Sequence, residues 1–145
     1  MKDEVSVVFC RNKKIGSLLI RLFTWSRWSH CAIINDQSVI EARMPLGVVV
    51  RPLSDFIKDY SSYEVVKFKV ESKSKVISAA LSQKGKPYDY MAIIGILFKR
   101  DWQNKSKWFC SELVAWALSQ GGRHLFRKER LNRATPEHIW MLAED

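Results

Sequence analysis

The chain has 145 residues, 47% of them hydrophobic and 27% charged, with a formal net charge of +9. That apolar share excludes intrinsic disorder, and the length fits one domain, residues 1–145, able to bury roughly 70% of its unfolded surface. A membrane-spanning helix needs about 20 apolar residues; the longest apolar run, Met91 to Phe98, has eight.

In chain order, Val5 to Phe9 is a β-branched and aromatic run that predicts a strand. Ile15, Leu18, Leu19, Leu22 and Phe23 follow at helical spacing and predict an amphipathic helix over 15–25. Ser29 to Ile34 and Val39 to Arg43 are strand-like, and the turn composition Asn35-Asp36-Gln37-Ser38 joins them into a hairpin. Pro45 and Gly47 break the chain before a third strand, Val48 to Val50. A short helix over 52–60, a strand over 63–70 and a helix over 72–84 come next. Gly85-Lys86-Pro87-Tyr88 is a turn, followed by a buried helix over 90–98 and a polar loop over 100–106. Trp108 to Ser119 is the second strong helix, stopped by Gly121-Gly122. Pro136 starts a last short helix behind Thr135 as N-cap. Strands in the first half and helices in the second predict an α+β fold.

The three cysteines, Cys10, Cys31 and Cys110, are an odd and sparse set. They do not read as a secreted disulfide framework, and without a Cys-x-x-Cys or His-x-x-x-His pair no metal is expected. Met1-Lys2-Asp3-Glu4 leads straight into a strand pattern without the features of a signal peptide. The expectation is a cytoplasmic protein with free thiols, leaving the cell only through a dedicated delivery system or phage lysis.

Cys110 sits where a helix begins. The partial positive charge and unpaired N–H groups there stabilise a thiolate and can hold an oxyanion. The plainer reading is a small buried apolar residue. His30 lies on the predicted hairpin beside Cys31, and alternation lets only one of the two face a given site. An even loop centred on Asp36-Gln37 sets Ala32 opposite Glu41, which puts His30 and Glu41 on one face, a base with an orienting carboxylate. A loop one residue longer would turn Glu41 away. Glu41 could also simply pair with Arg43. Tyr88 could donate into a nearby site, or pack half-buried.

Phe109-Cys110-Ser111-Glu112-Leu113-Val114 resembles the cysteine-helix start of the NlpC-like papain-fold cysteine peptidases, and Gly85-Lys86-Pro87-Tyr88 resembles the turn that precedes that helix. The histidine strand, Trp28-Ser29-His30-Cys31-Ala32-Ile33, comes before the cysteine. That order is similar to the circularly permuted branch, the YiiX/YaeF-like proteins and, more remotely, the lecithin retinol acyltransferase group. The resemblance covers residues 5 to about 120. It implies a permuted papain-like α+β fold, a small antiparallel sheet or barrel packed on helices. It implies Cys110 as nucleophile, His30 as general base and Glu41 as its orienting partner. Tyr88, Ser111 and Trp28 become the candidates for substrate and oxyanion binding. Phe109 and Glu112 depart from the family's usual Asp and Gly, so contacts from those positions do not transfer.

The expected function is a cysteine hydrolase that cleaves an amide bond in a cell-wall peptide or an N-acyl substrate through an acyl-enzyme, with no cofactor. The alternatives are a thiol acyltransferase or hydrolase at an anionic membrane surface, with peripheral membrane contact, and a basic nucleic-acid module. Nucleic acid is the weaker partner because no recognised motif is present. A monomer acting on a peptide or acyl-amide substrate, anionic in character, is expected. Residues 99–133 hold nine bases and three acids. Much of the positive charge therefore brackets the Cys110 helix, where it favours anionic substrates and a thiolate.

Overall fold

The structure, a computed structural model, describes residues 2–12, 27–43, 46–87, 110–127 and 134–143. The predicted helices over 15–25 and 90–98, the loop over 100–106, and Tyr88 lie outside the described residues. Five strands form one antiparallel sheet: β1 (Asp3–Arg11), β2 (His30–Asn35), β3 (Ser38–Arg43), β4 (Gly47–Pro52) and β5 (Ser62–Val70). Their spatial order is β4-β3-β2-β1-β5. The described helices are α1 (Leu53–Lys58), α2 (Lys73–Ser82), α3 (Cys110–Gln120) and α4 (Pro136–Met141). The fold is α+β, as the grouping of patterns predicts.

The period-2 alternation of β1 gives the sheet two buried faces. Val5, Val7 and Phe9 join Cys31, Ile33, Ile40, Ala42 and Phe68 in the larger core, against α3. Val8, Cys10, Ala32 and Val39 turn the other way and are covered by Phe56 of α1. Helix α3 fits this place because Leu113, Val114, Ala117 and Leu118 recur at helical spacing and are fully buried. Burial of each such leucine or valine contributes about 1.5–3 kcal/mol. Ser111 and Glu112 are buried as well, so the first turn of α3 is enclosed on all sides.

Local chemistry sets the boundaries. The β2–β3 loop is Asp36-Gln37, with Asp36 at φ 53°, a left-handed conformation that Asp tolerates. The register runs Ile33 opposite Ile40, Ile34 opposite Val39 and Asn35 opposite Ser38. This is the even-loop alternative. Ser72 caps α2 by accepting from Lys75 N. Thr135 caps α4 in a capping box: its Oγ1 accepts from His138 N, and His138 Nδ1 accepts from Thr135 N.

The Gly85-Lys86-Pro87 turn is fastened to the start of β4. Gly85 N donates to Val48 O and Val48 N donates to Lys86 O, both at 2.9 Å. The approach needs Gly47: its φ is +85°, and a Cβ there would stand 2.1 Å from Lys86 O. No helix among the described residues is long and apolar enough to cross a membrane.

Candidate active site

Cys110 is the first residue of α3 and His30 the first of β2. The start of the helix therefore lies near the start of the strand. Cys110 is 4% exposed and His30 9%. The His30 ring and the Cys110 thiol are near enough that each shifts the other's titration. Behind the ring, His30 Nε2 lies 2.7 Å from Oε2 of the fully buried Glu41. The pairing that places Glu41 is the register of the hairpin, so a two-residue turn decides where the carboxylate points.

The titration of these groups follows from the contacts. A hydrogen bond from the Cys31 thiol and the charge of His30 hold the Cys110 thiol well below its usual range, although burial opposes this. Burial pushes the His30 ring down, but the Cys110 sulfur and the Glu41 carboxylate outweigh it and raise the ring from 6.5 to about 10. Burial also opposes ionisation of Glu41, yet His30 and Arg51 hold it below the ordinary carboxylate value. The stable arrangement at neutral pH is thiolate, imidazolium and carboxylate in a row. Such a row can attack a carbonyl carbon with sulfur and return a proton from the ring to a departing amine.

Cys31, the residue after His30, bears on the same sulfur. Strand alternation lets only His30 or Cys31 face a given site, and the titration of Cys110 is influenced by both. Alternation does separate them along the strand, since Cys31 sits in the helix-side core. All three cysteines are free and buried.

The other sequence candidates fall as follows. Ser111 is buried and its hydroxyl donates to Ala134 O, tying α3 to the residue before the α4 cap. Trp28 is buried in the larger core, edge-on to Trp140 at 6.5 Å between ring centroids. Tyr88 lies outside the described residues. Arg43 is a lesser partner of Glu41, with Nε 3.8 Å from Oε1. Three residues that sequence reasoning does not single out stand in the same cluster. Arg51 Nε donates to Glu41 Oε1 and Arg51 Nη1 to Asp59 Oδ2, each at 2.7 Å. Tyr60 stacks on the His30 ring at 5.9 Å and 13°. Alternation could place Arg51 on the face of Glu41, but only with the β3–β4 register, which the Pro45–Gly47 break does not specify.

The family model of the permuted papain-like amidases, the YaeF/YiiX or C92 family, matches residues 3–138. The chain belongs to this family. Its fold is also that of a solved structure, the metalloprotein YiiX from Escherichia coli O157:H7, with a TM-score of 0.66 and 24% identity. The alignment covers 86% of this chain and 69% of that one. Sequence comparison with curated proteins gives no match. Among the described residues, no group of three or more His, Cys, Asp or Glu side chains is arranged to hold a metal ion. Membership makes this chain a papain-like hydrolase of the amidase type; the bond it cleaves and the residues that cleave it are a further step.

Proposed function

We propose that this permuted papain-like protein is a cysteine amidase in which Cys110 is the nucleophile, His30 the general base and acid, and Glu41 the residue that orients His30. The observation that carries the reading is the position of His30, whose Nε2 stands 2.7 Å from Glu41 Oε2 and whose ring and the Cys110 thiol shift each other's titration. The Cys110 thiolate attacks the carbonyl carbon of an amide. The Cys110 backbone N–H, at a helix start, stabilises the oxyanion. The His30 imidazolium gives its proton to the departing amine, leaving a thioester. His30, now neutral, takes a proton from water, and the hydroxide releases the acid and restores the thiolate.

The substrate class is a cell-wall peptide or an N-acyl amide. The test is turnover of peptidoglycan fragments and acyl amides by the purified protein and by Cys110→Ala. Replacement of the sulfur is expected to remove at least about 1,000-fold of the rate. Equal turnover by both proteins would refute the assignment. Turnover of only one substrate set would name the class.

A further inference from the structure

We propose that Arg51, held by Asp59, is a positioning residue that fixes and charges the Glu41 carboxylate behind His30. The proposal rests on the reading of Cys110, His30 and Glu41 as the reacting group, and extends it by one layer.

Geometry carries it. The two oxygens of Glu41 have separate donors: His30 Nε2 at Oε2 and Arg51 Nε at Oε1, each at 2.7 Å. Two donors on two oxygens fix the plane of the carboxylate as well as its position. Asp59 Oδ2 takes Arg51 Nη1 at 2.7 Å and fixes the guanidinium in turn. The guanidinium also lies over the Phe56 ring, 5.2 Å from its centroid. A chain of hydrogen bonds thus runs His30, Glu41, Arg51, Asp59, from the start of β2 to the residue after α1.

The guanidinium is not an ordinary surface ion pair. Its Nη2 is buried and has no hydrogen-bond partner among the described residues. A buried N–H left unpaired costs free energy, and a buried ion pair is weak evidence for stability. The arrangement is better accounted for by what it does to Glu41. A fully buried carboxylate with no adjacent cation takes up a proton. Arg51 supplies the cation at contact distance, whereas Arg43 stands off at 3.8 Å with a side chain 32% exposed. The other titratable groups that act on or through Glu41 are His30 from β2, Cys10 from β1, Cys110 from α3, and Asp59 and Tyr60 after α1. Among the described groups in this set, Arg51 is the closest permanent cation.

The experiment follows alkylation of Cys110 by iodoacetamide on the full chain between pH 4 and 9, with mass spectrometry resolving it from Cys10 and Cys31. No substrate is needed. The wild-type rate is expected to show no Glu41 titration between pH 5 and 7, since that carboxylate is held below 4.5. In Arg51→Gln the carboxylate titrates inside that window: an inflection appears, and the rate at pH 5 falls about tenfold as Glu41 takes up its proton. Arg51→Lys retains the charge and recovers most of the loss. A purely structural role would change the melting temperature without moving the inflection. An Arg51→Gln profile that overlays the wild type overturns the proposal. So does an Arg51→Lys profile that shows no recovery of the acid-side rate, which decides the matter even if Arg51→Gln does not fold. A wild-type Cys110 no more reactive at neutral pH than an ordinary thiol sinks the catalytic reading itself, and the positioning role with it.

Discussion

Burial alone would keep the His30 ring neutral at neutral pH. The ring is charged because it stands between a thiolate and a carboxylate, and both favour its proton more than burial opposes it. This gives turnover and alkylation different alkaline limits. Alkylation needs only the Cys110 thiolate and is expected to stay fast as pH rises through 10. Amide turnover also needs the imidazolium proton for the departing amine, so it is expected to fall as pH rises through about 10, where His30 loses that proton. Parallel measurement of the two rates from pH 8 to 11 checks this. Curves that fall together would mean that the ring is not the acid. Tyr60 and Phe56 bear on the same residue through packing, since their rings lie against the imidazole and restrict its rotation.

Among the elements, the hairpin and α3 do the positioning. The two-residue loop at Asp36-Gln37 holds Glu41 on the side of His30, and the buried stripe of α3 holds the Cys110 end against β2. The turn at 85–87 is attached to β4 by backbone hydrogen bonds whose geometry depends on Gly47. Gly47→Ala would place a methyl 2.1 Å from a carbonyl oxygen in a left-handed conformation. The expected cost is about 1–3 kcal/mol for the backbone strain, before the displacement of the turn is counted. Urea unfolding of the variant measures it. An unchanged midpoint would mean that the turn can leave β4 without cost to the fold.

For the molecule as a whole, the proton shared by Cys110 and His30 shapes stability as a function of pH. The raised His30 value stabilises the fold fully below 6.5, and that contribution is lost as pH rises through about 10. The lowered Cys110 value acts in the opposite sense: its contribution is present above 9.0 and lost as pH falls toward the folded-state value. Where both shifts act the two slopes offset each other, because folding only moves one proton from sulfur to ring. Glu41 adds stability above the ordinary carboxylate value of 4.5, lost as pH falls through its lowered value. The urea midpoint is therefore expected to be nearly flat just below pH 9, to fall above 9, and to fall again in acid. A continuous decline across the neutral range would mean that Cys110 holds its proton. The sequence by itself determined the local parts of this protein: the strand alternation, the hairpin turn, the Thr135 cap, and a cysteine at a helix start with a histidine on an earlier strand. Each depends on residues within a few positions of one another, where side-chain period and turn chemistry decide the outcome. Only the tertiary structure brought in Arg51, Asp59 and Tyr60, and set Cys31 against the same sulfur as His30. Those contacts depend on the β3–β4 register and on where α1 and α3 end against the sheet. Such placements come from packing between distant segments, and no spacing along the chain encodes them.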